Sequence, residues 1–377
     1  MAWLFLGLIA LPFAAAAYAG FQWLWPRLLE PVPERIAPEE APPRRRRVGW
    51  RLSSRQNTVA RGAAAAAVLT VIALAVNRWP SVVKPGAASV APAAEVQLPP
   101  PIPLKVQTRF GSDGAGQGQP HDPRDIAVDP AGNVYVADTG NKRIVKFKPD
   151  GSFAAEWSTS RKGALAEPSA LALAKDGLIV DDSESAQLHK YDFNGEPQPT
   201  FEHDLGLSHP RGLAVGPDGI IYVGDTANDR IMKVGPDGTP LGAFDTKGAK
   251  LEQPTGIAVD QQGSVYSIEP AASRIQQFAA DGTLQAHLFL PPAVTVFPPR
   301  GLILLGGQLA VSLPDQNELL TYKPSGEPQT TFVPQPDPAA PNPLRPLGLA
   351  STPDQALVWV VWNTSSTVTE LAWPLPG

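Results

Sequence analysis

The sequence predicts an all-β fold, a six-bladed β-propeller preceded by two N-terminal transmembrane helices. Three observations carry that reading. A strand–turn–strand–turn–strand unit recurs six times after residue 104, with turn residues between its apolar runs. The first 80 residues hold an uncharged apolar stretch of 24 residues and a second, alanine-rich one of 15. Charge divides the same way: residues 1–103 carry 11 Lys+Arg against 5 Asp+Glu, a net of +6, whereas residues 104–377 carry 20 against 31, a net of −11. The 43 prolines and 33 glycines among 377 residues favour turns over long helices. With no cysteine, neither a disulfide framework nor a thiolate metal site is available.

Residues 1–26 form the first expected membrane helix. Ala2 to Trp25 is 24 residues without a charge, enough to cross a hydrocarbon core of about 30 Å, with Trp3 near one end and Trp23 and Trp25 at the other. A cleaved signal peptide is the competing reading, through Ala17-Tyr18-Ala19. The absence of Lys or Arg ahead of the apolar run, and the length of that run, speak against it. Residues 62–79 form the second expected helix. Its uncharged run, Gly62 to Val76, is only 15 residues, but Arg61 and Arg78 can snorkel and Trp79 can anchor. A buried or surface-lying helix is the alternative. Residues 27–61 hold nine arginines, including Arg44 to Arg47, which suits a cytoplasmic loop between two spans. This topology puts the protein in the cell membrane as a two-pass chain, with the later domain extracytoplasmic. Residues 80–103, rich in Pro and Ala, read as a semi-rigid linker.

Residues 104–377 hold the repeats. A Pro-x-Gly-Ile-Ala-Val frame begins at Pro123, Pro168, Pro210, Pro254, Pro299 and Pro346, at spacings of 45, 42, 44, 45 and 47 residues. Each spacing is the length of one four-stranded blade. In the first copy Ile126-Ala127-Val128, Val134-Tyr135-Val136 and Ile144 to Phe147 are strands, separated by Asp129 to Gly132 and Thr139 to Asn141. One such meander cannot bury both faces, so it needs neighbours. A fourth short run follows each of copies 1 to 5, while the sixth copy ends after its third. The missing strand is supplied by Lys105–Phe110, which pairs with Thr367–Trp373 and closes a ring of 24 strands.

Copies 1, 3 and 4 (RDIAVDPAGNVYVADTGNKRIVKF, RGLAVGPDGIIYVGDTANDRIMKV and TGIAVDQQGSVYSIEPAASRIQQF) resemble the NHL repeat of six-bladed propellers; copies 2, 5 and 6 are degenerate. The resemblance spans about residues 105–377 and is specific for fold. For function it implies several classes: extracellular sensor heads of receptor kinases, RNA-binding domains, peptide-amidating lyases and gluconolactonase-like enzymes.

The residue after each repeat proline lies near one channel mouth in this fold. Round the ring it is Arg124, Ser169, Arg211, Thr255, Arg300 and Leu347. Arginine in alternate blades places three guanidinium groups about the axis, an anion site for a carboxylate, sugar acid or phosphate. Bracing of each Arg by Asp122, Asp125 or Asp129 is the competing reading. Lactonase-like propellers hold Asn and Asp ligands of a divalent metal at such positions, and three cations there repel a metal. Asp138, Asn141 and Arg143, repeated as Asp225, Asn228 and Arg230, read as structural, with the Asp capping turn amides. His121, His189, His203, His209 and His287 do not assemble a three-histidine metal site by spacing, and Asp181-Asp182 reads as a surface turn. The expectation is therefore a membrane-anchored binding or scaffold module for a protein, peptide or glycan. It has no cofactor, metal or catalytic residue, with Arg124, Arg211, Arg300, Ser169 and Thr255 at the ligand. A lyase or lactonase with its site at the mouth is the alternative. The net of −11 on the repeat domain argues against nucleic acid.

Overall fold

The computed structural model describes residues 100–377 apart from 199, 200, 202, 292–297, 324, 335–344, 353–356 and 374–377. The apolar stretches Ala2–Trp25 and Gly62–Val76 and the basic loop lie outside these residues. Among the described residues no helix is long and apolar enough to cross a membrane.

Six sheets, antiparallel except for one strand added to blade 5, form a six-bladed β-propeller. Blade 1 comprises Asp125–Val128, Val134–Asp138, Arg143–Phe147 and Phe153–Trp157. Blade 2 comprises Pro168–Ala174, Gly177–Asp182 and Gln187–Tyr191. Blade 3 comprises Gly212–Val215, Ile221–Asp225, Arg230–Val234 and Pro240–Ala243, and blade 4 Gly256–Val259, Val265–Glu269, Arg274–Phe278 and Leu284–Phe289. Blade 5 runs Leu302–Leu305, Gln308–Leu313, Glu318–Tyr322 and Pro328–Pro334. Blade 6 runs Pro346–Ser351, Leu357–Trp362 and Thr367–Ala372, and its fourth strand is Val106–Phe110. The first strand named is the inner one in each case.

Period-two alternation on the inner strands feeds the seams between blades. Ile126 and Val128 join a core with Trp359 and Val361 of blade 6, whereas Ala127, between them, joins one with Leu171 and Val180 of blade 2. Six such clusters of described residues fill the six seams. Each fully buried aliphatic side chain there contributes roughly 1.5–3 kcal/mol by leaving water. With side chains spent on the seams, the inner strands turn a backbone edge to the axis.

Ring closure follows the expected pairing, with Phe110 opposite Val368 and Arg109 opposite Thr369. Two features differ from the sequence reading. Ile102–Leu104, at the end of the Pro/Ala-rich stretch, pairs in parallel with Phe332–Pro334 as a fifth strand on blade 5. Leu104, 3% exposed, packs with Phe332, Leu371 and Trp373 in the seam between blades 5 and 6. The short segment from Ile102 to Phe110 thus fastens two blades rather than one. Blade 2, expected to hold four strands, shows three among the described residues, with an isolated bridge from Tyr191 to Pro197 where the fourth was expected.

The repeated Asp-x-x-Asn-x-Arg group is structural in its geometry, but the Asp does not cap its own turn. Asp138 accepts from Arg143 Nε at 2.6 Å, from Asn141 Nδ2 and from the His121 backbone N–H at 2.7 Å. It ties the third strand to the loop entering its own blade's inner strand. Asp225 with Ser208, Asp182 with Glu167 and Glu269 with Glu252 repeat that bond.

Candidate functional site

A cavity of about 730 Å³ runs along the ring's axis, with Arg124, Arg211 and Arg300 among the residues lining it. The inner strands all start at this mouth, so the residue after the repeat proline lines it in blades 1, 2, 3 and 5. Thr255 and Leu347 are not among the lining residues, and Leu347 packs in the core between blades 6 and 1. The three guanidinium groups are close enough for their charges to act together. Burial, then the charges of Arg124 and Arg211, pull the Arg300 guanidinium down to about 10 from its usual 12.5.

Their partners differ. Arg124 is braced: it bonds Glu167 from the neighbouring blade and lies 3.6 Å from Asp122. Among the described residues neither Arg211 nor Arg300 forms an ion pair, and Arg211 Nε and Arg300 Nη1 are buried without a hydrogen-bond partner. Buried guanidinium donors without acceptors are costly, so this pair is open to an anion. Ser169 and Thr255 are occupied elsewhere. Ser169 is 2% exposed and its hydroxyl is directed to Asp181 and the Pro210 carbonyl, at 3.4 and 3.5 Å. Thr255 is 4% exposed and donates to the Pro299 carbonyl at 2.9 Å. Both staple their blade to the next, as Thr139 does to Pro168 and Thr226 to Pro254.

Two carboxyls at this mouth, Asp125 and Asp181, have other roles than the brace and the surface turn expected of them. Asp125 lines the cavity, and its Oδ2 accepts the Leu171 N–H at 2.8 Å. Burial pushes its pKa up to about 7, against the pull of that N–H and of Arg300. The signal was in the repeat frame: blades 3, 4, 5 and 6 have Gly212, Gly256, Gly301 and Gly348 where blade 1 has Asp125. Crowding requires three of those glycines, Gly256, Gly301 and Gly348. A Cβ on Gly256 would fall 2.3 Å from the Arg300 carbonyl oxygen, and one on Gly301 2.4 Å from that of Leu347. Asp125 uses the same closeness to reach the adjoining strand.

Asp181 and Asp182 correct the surface-turn reading, since both end the second strand of blade 2 fully buried. They point to opposite sides, as alternation demands. Burial, then the neighbouring Asp182, raise the Asp181 carboxyl well above its usual value, with Arg300 opposing; its Oδ1 has no partner. Asp182 faces His189 at 3.7 Å and accepts the Ala166 and Glu167 N–H groups. Although burial works against it, these contacts hold it at about 2. No histidine among the described residues lines the cavity; His121 Nδ1 bonds the exposed Asp113 at 2.8 Å. Among the described residues no three His, Asp or Glu side chains gather as a metal-holding group.

Fold and site together define a six-bladed propeller with a charged channel mouth. The NHL repeat model matches residues 121–147 and 207–233, which lie largely in blades 1 and 3. These matches, with the six blades, support the NHL propeller family. The chain is 29% identical over 141 residues to Protein brain tumor of Drosophila melanogaster, covering 36% of this chain and 14% of that protein. It is 36% identical over 96 residues to peptidylglycine alpha-amidating monooxygenase of Rattus norvegicus, covering 23% of this chain and 10% of that one. The matches thus span a small part of both relatives. Among solved structures, a gluconolactonase from Xanthomonas campestris superposes with a TM-score of 0.54 at 18% identity, covering 74% of this chain and 99% of that one. A virginiamycin B lyase from Staphylococcus aureus does so with a TM-score of 0.50 at 18% identity, covering 69% and 98%. At these identities the likeness shows the fold.

Proposed function

We propose that this chain is a binding module whose propeller takes an anionic ligand at the mouth formed by Arg124, Arg211 and Arg300, with residues 1–79 holding it at a membrane and the propeller outside the cytoplasm. The observation that carries the ligand reading is the pair of buried, unpartnered donors, Arg211 Nε and Arg300 Nη1, beside an open cavity. Arg124, neutralised by Glu167, positions the mouth rather than supplying a free charge. Support for the membrane reading is the flanking of nine arginines by two uncharged stretches.

Calorimetry with citrate, a uronate and inorganic phosphate tests the site. At least one binds the native chain, and the double substitution Arg211→Ala with Arg300→Ala abolishes that binding; an unchanged isotherm ends the reading. Protease added to intact cells tests the topology, since cleavage at the Arg44–Arg47 loop with the propeller protected would reverse it.

A lyase- or lactonase-type enzyme is the second reading. One observation favours it: Asp125 lines the cavity with its carboxyl near 7, where it can take and return a proton at neutral pH. Turnover of a lactone panel, lost in Asp125→Asn, would establish it.

A further inference from the structure

We infer that the ligand is an acidic oligosaccharide, its carboxylate on Arg211 and Arg300 and its hydroxyl-bearing units reaching Tyr266 and Gln277 at the opposite end of the channel. The inference rests on the anion-site reading above. Its own warrant is a break in the internal symmetry of the repeats.

In three blades an Ala, a Tyr and a long polar side chain stand in one row across the sheet. These rows are Ala127, Tyr135 and Lys146 in blade 1, Ala214, Tyr222 and Lys233 in blade 3, and Ala258, Tyr266 and Gln277 in blade 4. In blade 1 the row is closed. Tyr135 is fully buried, its ring is met by Trp157 and Phe193, and Lys146 lies 5.3 Å over it while donating to the Phe193 carbonyl. In blade 3 Tyr222 is buried against Phe244. Blade 4 opens the row instead: Tyr266 and Gln277 are half-buried and line the axial cavity together with Asp260, Gln261 and Gln262.

The chemistry at this end is rich in hydrogen-bonding groups, with one carboxylate, Asp260, engaged within its own turn. Gln277 Nε2 donates to the Tyr266 hydroxyl at 3.1 Å, and that hydroxyl donates to Asp260 Oδ2 at 3.3 Å. The other Asp260 oxygen accepts the Gln262 and Ser264 N–H groups, so its charge is spent within the turn. What faces the cavity, beside the engaged Asp260, is a phenol, side-chain amides and the backbone edges of the inner strands. Such groups both donate and accept, as a run of hydroxyls does, and the open ring offers a face for a sugar's C–H surface. The two ends belong to one cavity. From Thr255 at the arginine mouth to Asp260 is five strand steps, about 16 Å at ~3.3 Å each. A single sugar acid cannot touch both ends, whereas a short oligomer can.

Calorimetry on the full chain with galacturonate, tri-galacturonate, maltotriose and citrate tests this. Tri-galacturonate binds about tenfold or more tighter than galacturonate, and maltotriose binds weakly. Tyr266→Phe and Gln277→Met each weaken the trimer about five- to tenfold and leave galacturonate unchanged. Gln277→Met is near-isosteric and stands in if Tyr266→Phe fails to fold. Equal affinity for monomer and trimer, or a trimer indifferent to both substitutions, overturns the inference while citrate binding leaves the anion site standing. Binding of a peptide through its terminal carboxylate with no uronate binding also overturns it. If no acid binds at all, both readings fall together.

Discussion

Arg109 Nε donates to Thr369 Oγ1 at 3.3 Å, a bond between the strand that precedes the first repeat and the last strand of the ring. The ring is held shut by this pairing and by the strand just before it. Ile102–Leu104 rides on blade 5 and Val106–Phe110 on blade 6, so nine residues bind the final seam from both sides.

Leu104→Ala will lower stability by about 3 kcal/mol, because its side chain is buried among Phe332, Leu371 and Trp373. A chain starting at residue 111 will lack both strands and lose cooperative unfolding. Thermal denaturation followed by circular dichroism measures each, and a chain from residue 111 that melts like the native protein would show that closure is dispensable.

Two equivalent carboxylates will respond unequally. Asp138→Ala removes the carboxylate on Arg143 Nε, a side chain 9% exposed that keeps Glu156 at 2.8 Å, and should cost about 2–3 kcal/mol. Asp225→Ala strands Arg230, whose side chain is 36% exposed and can turn to water, so it should cost roughly 1–2 kcal/mol. Urea midpoints of the two variants give the order directly, and equal losses would refute the role of burial.

Crowding at the inner ring links stability to the site. Gly256→Ala pushes a methyl to within 2.3 Å of the Arg300 carbonyl oxygen, whereas Gly212→Ala brings one only to 3.0 Å of the Thr255 carbonyl oxygen. The first should cost several kcal/mol more than about 1–3, the usual toll of overpacking, and weaken anion binding by displacing Arg300; the second should stay near the lower end. Paired melting curves and calorimetry test both halves.

Stability will vary with pH in two windows of opposite sign. Asp182 is held at about 2, below its ordinary 3.8, so the stability it contributes is present above about pH 4 and lost as pH falls toward 2. Asp125 is raised to about 7, so its contribution is complete below about pH 4 and is lost as pH rises toward 7. Facing the cavity, it should account for on the order of 1–2 kcal/mol, less than full burial would give. Asp125→Asn makes the stability curve less steep between pH 4 and 7, leaving the share of Asp181 and Glu269, without touching the acid limb. A curve unchanged by that substitution would place the titration elsewhere.

The six blades, their order, the closing strand and the ring of arginines were all readable from the chain, because each depends on local signals. Turn residues and period-two alternation set strands, the repeat spacing sets blades, and a residue's place in the repeat sets its end of the channel. The sequence could not say which polar groups at the mouth were already engaged. Ser169 and Thr255 look equivalent to the arginines by position, yet their hydroxyls serve the Pro210 and Pro299 carbonyls of the adjoining blades. Arg124 differs from Arg211 and Arg300 through Glu167, 43 residues away in sequence, and through Asp122 at 3.6 Å. Burial of Asp181, the contact of Asp125 with the Leu171 N–H of the next blade, and the opening of Tyr266 to the cavity where Tyr135 is sealed by Phe193, likewise arise between blades. Strand patterning is a property of neighbours along the chain. Desolvation and the pairing of charges depend on what the next blade brings across the seam, and only the assembled ring decides that.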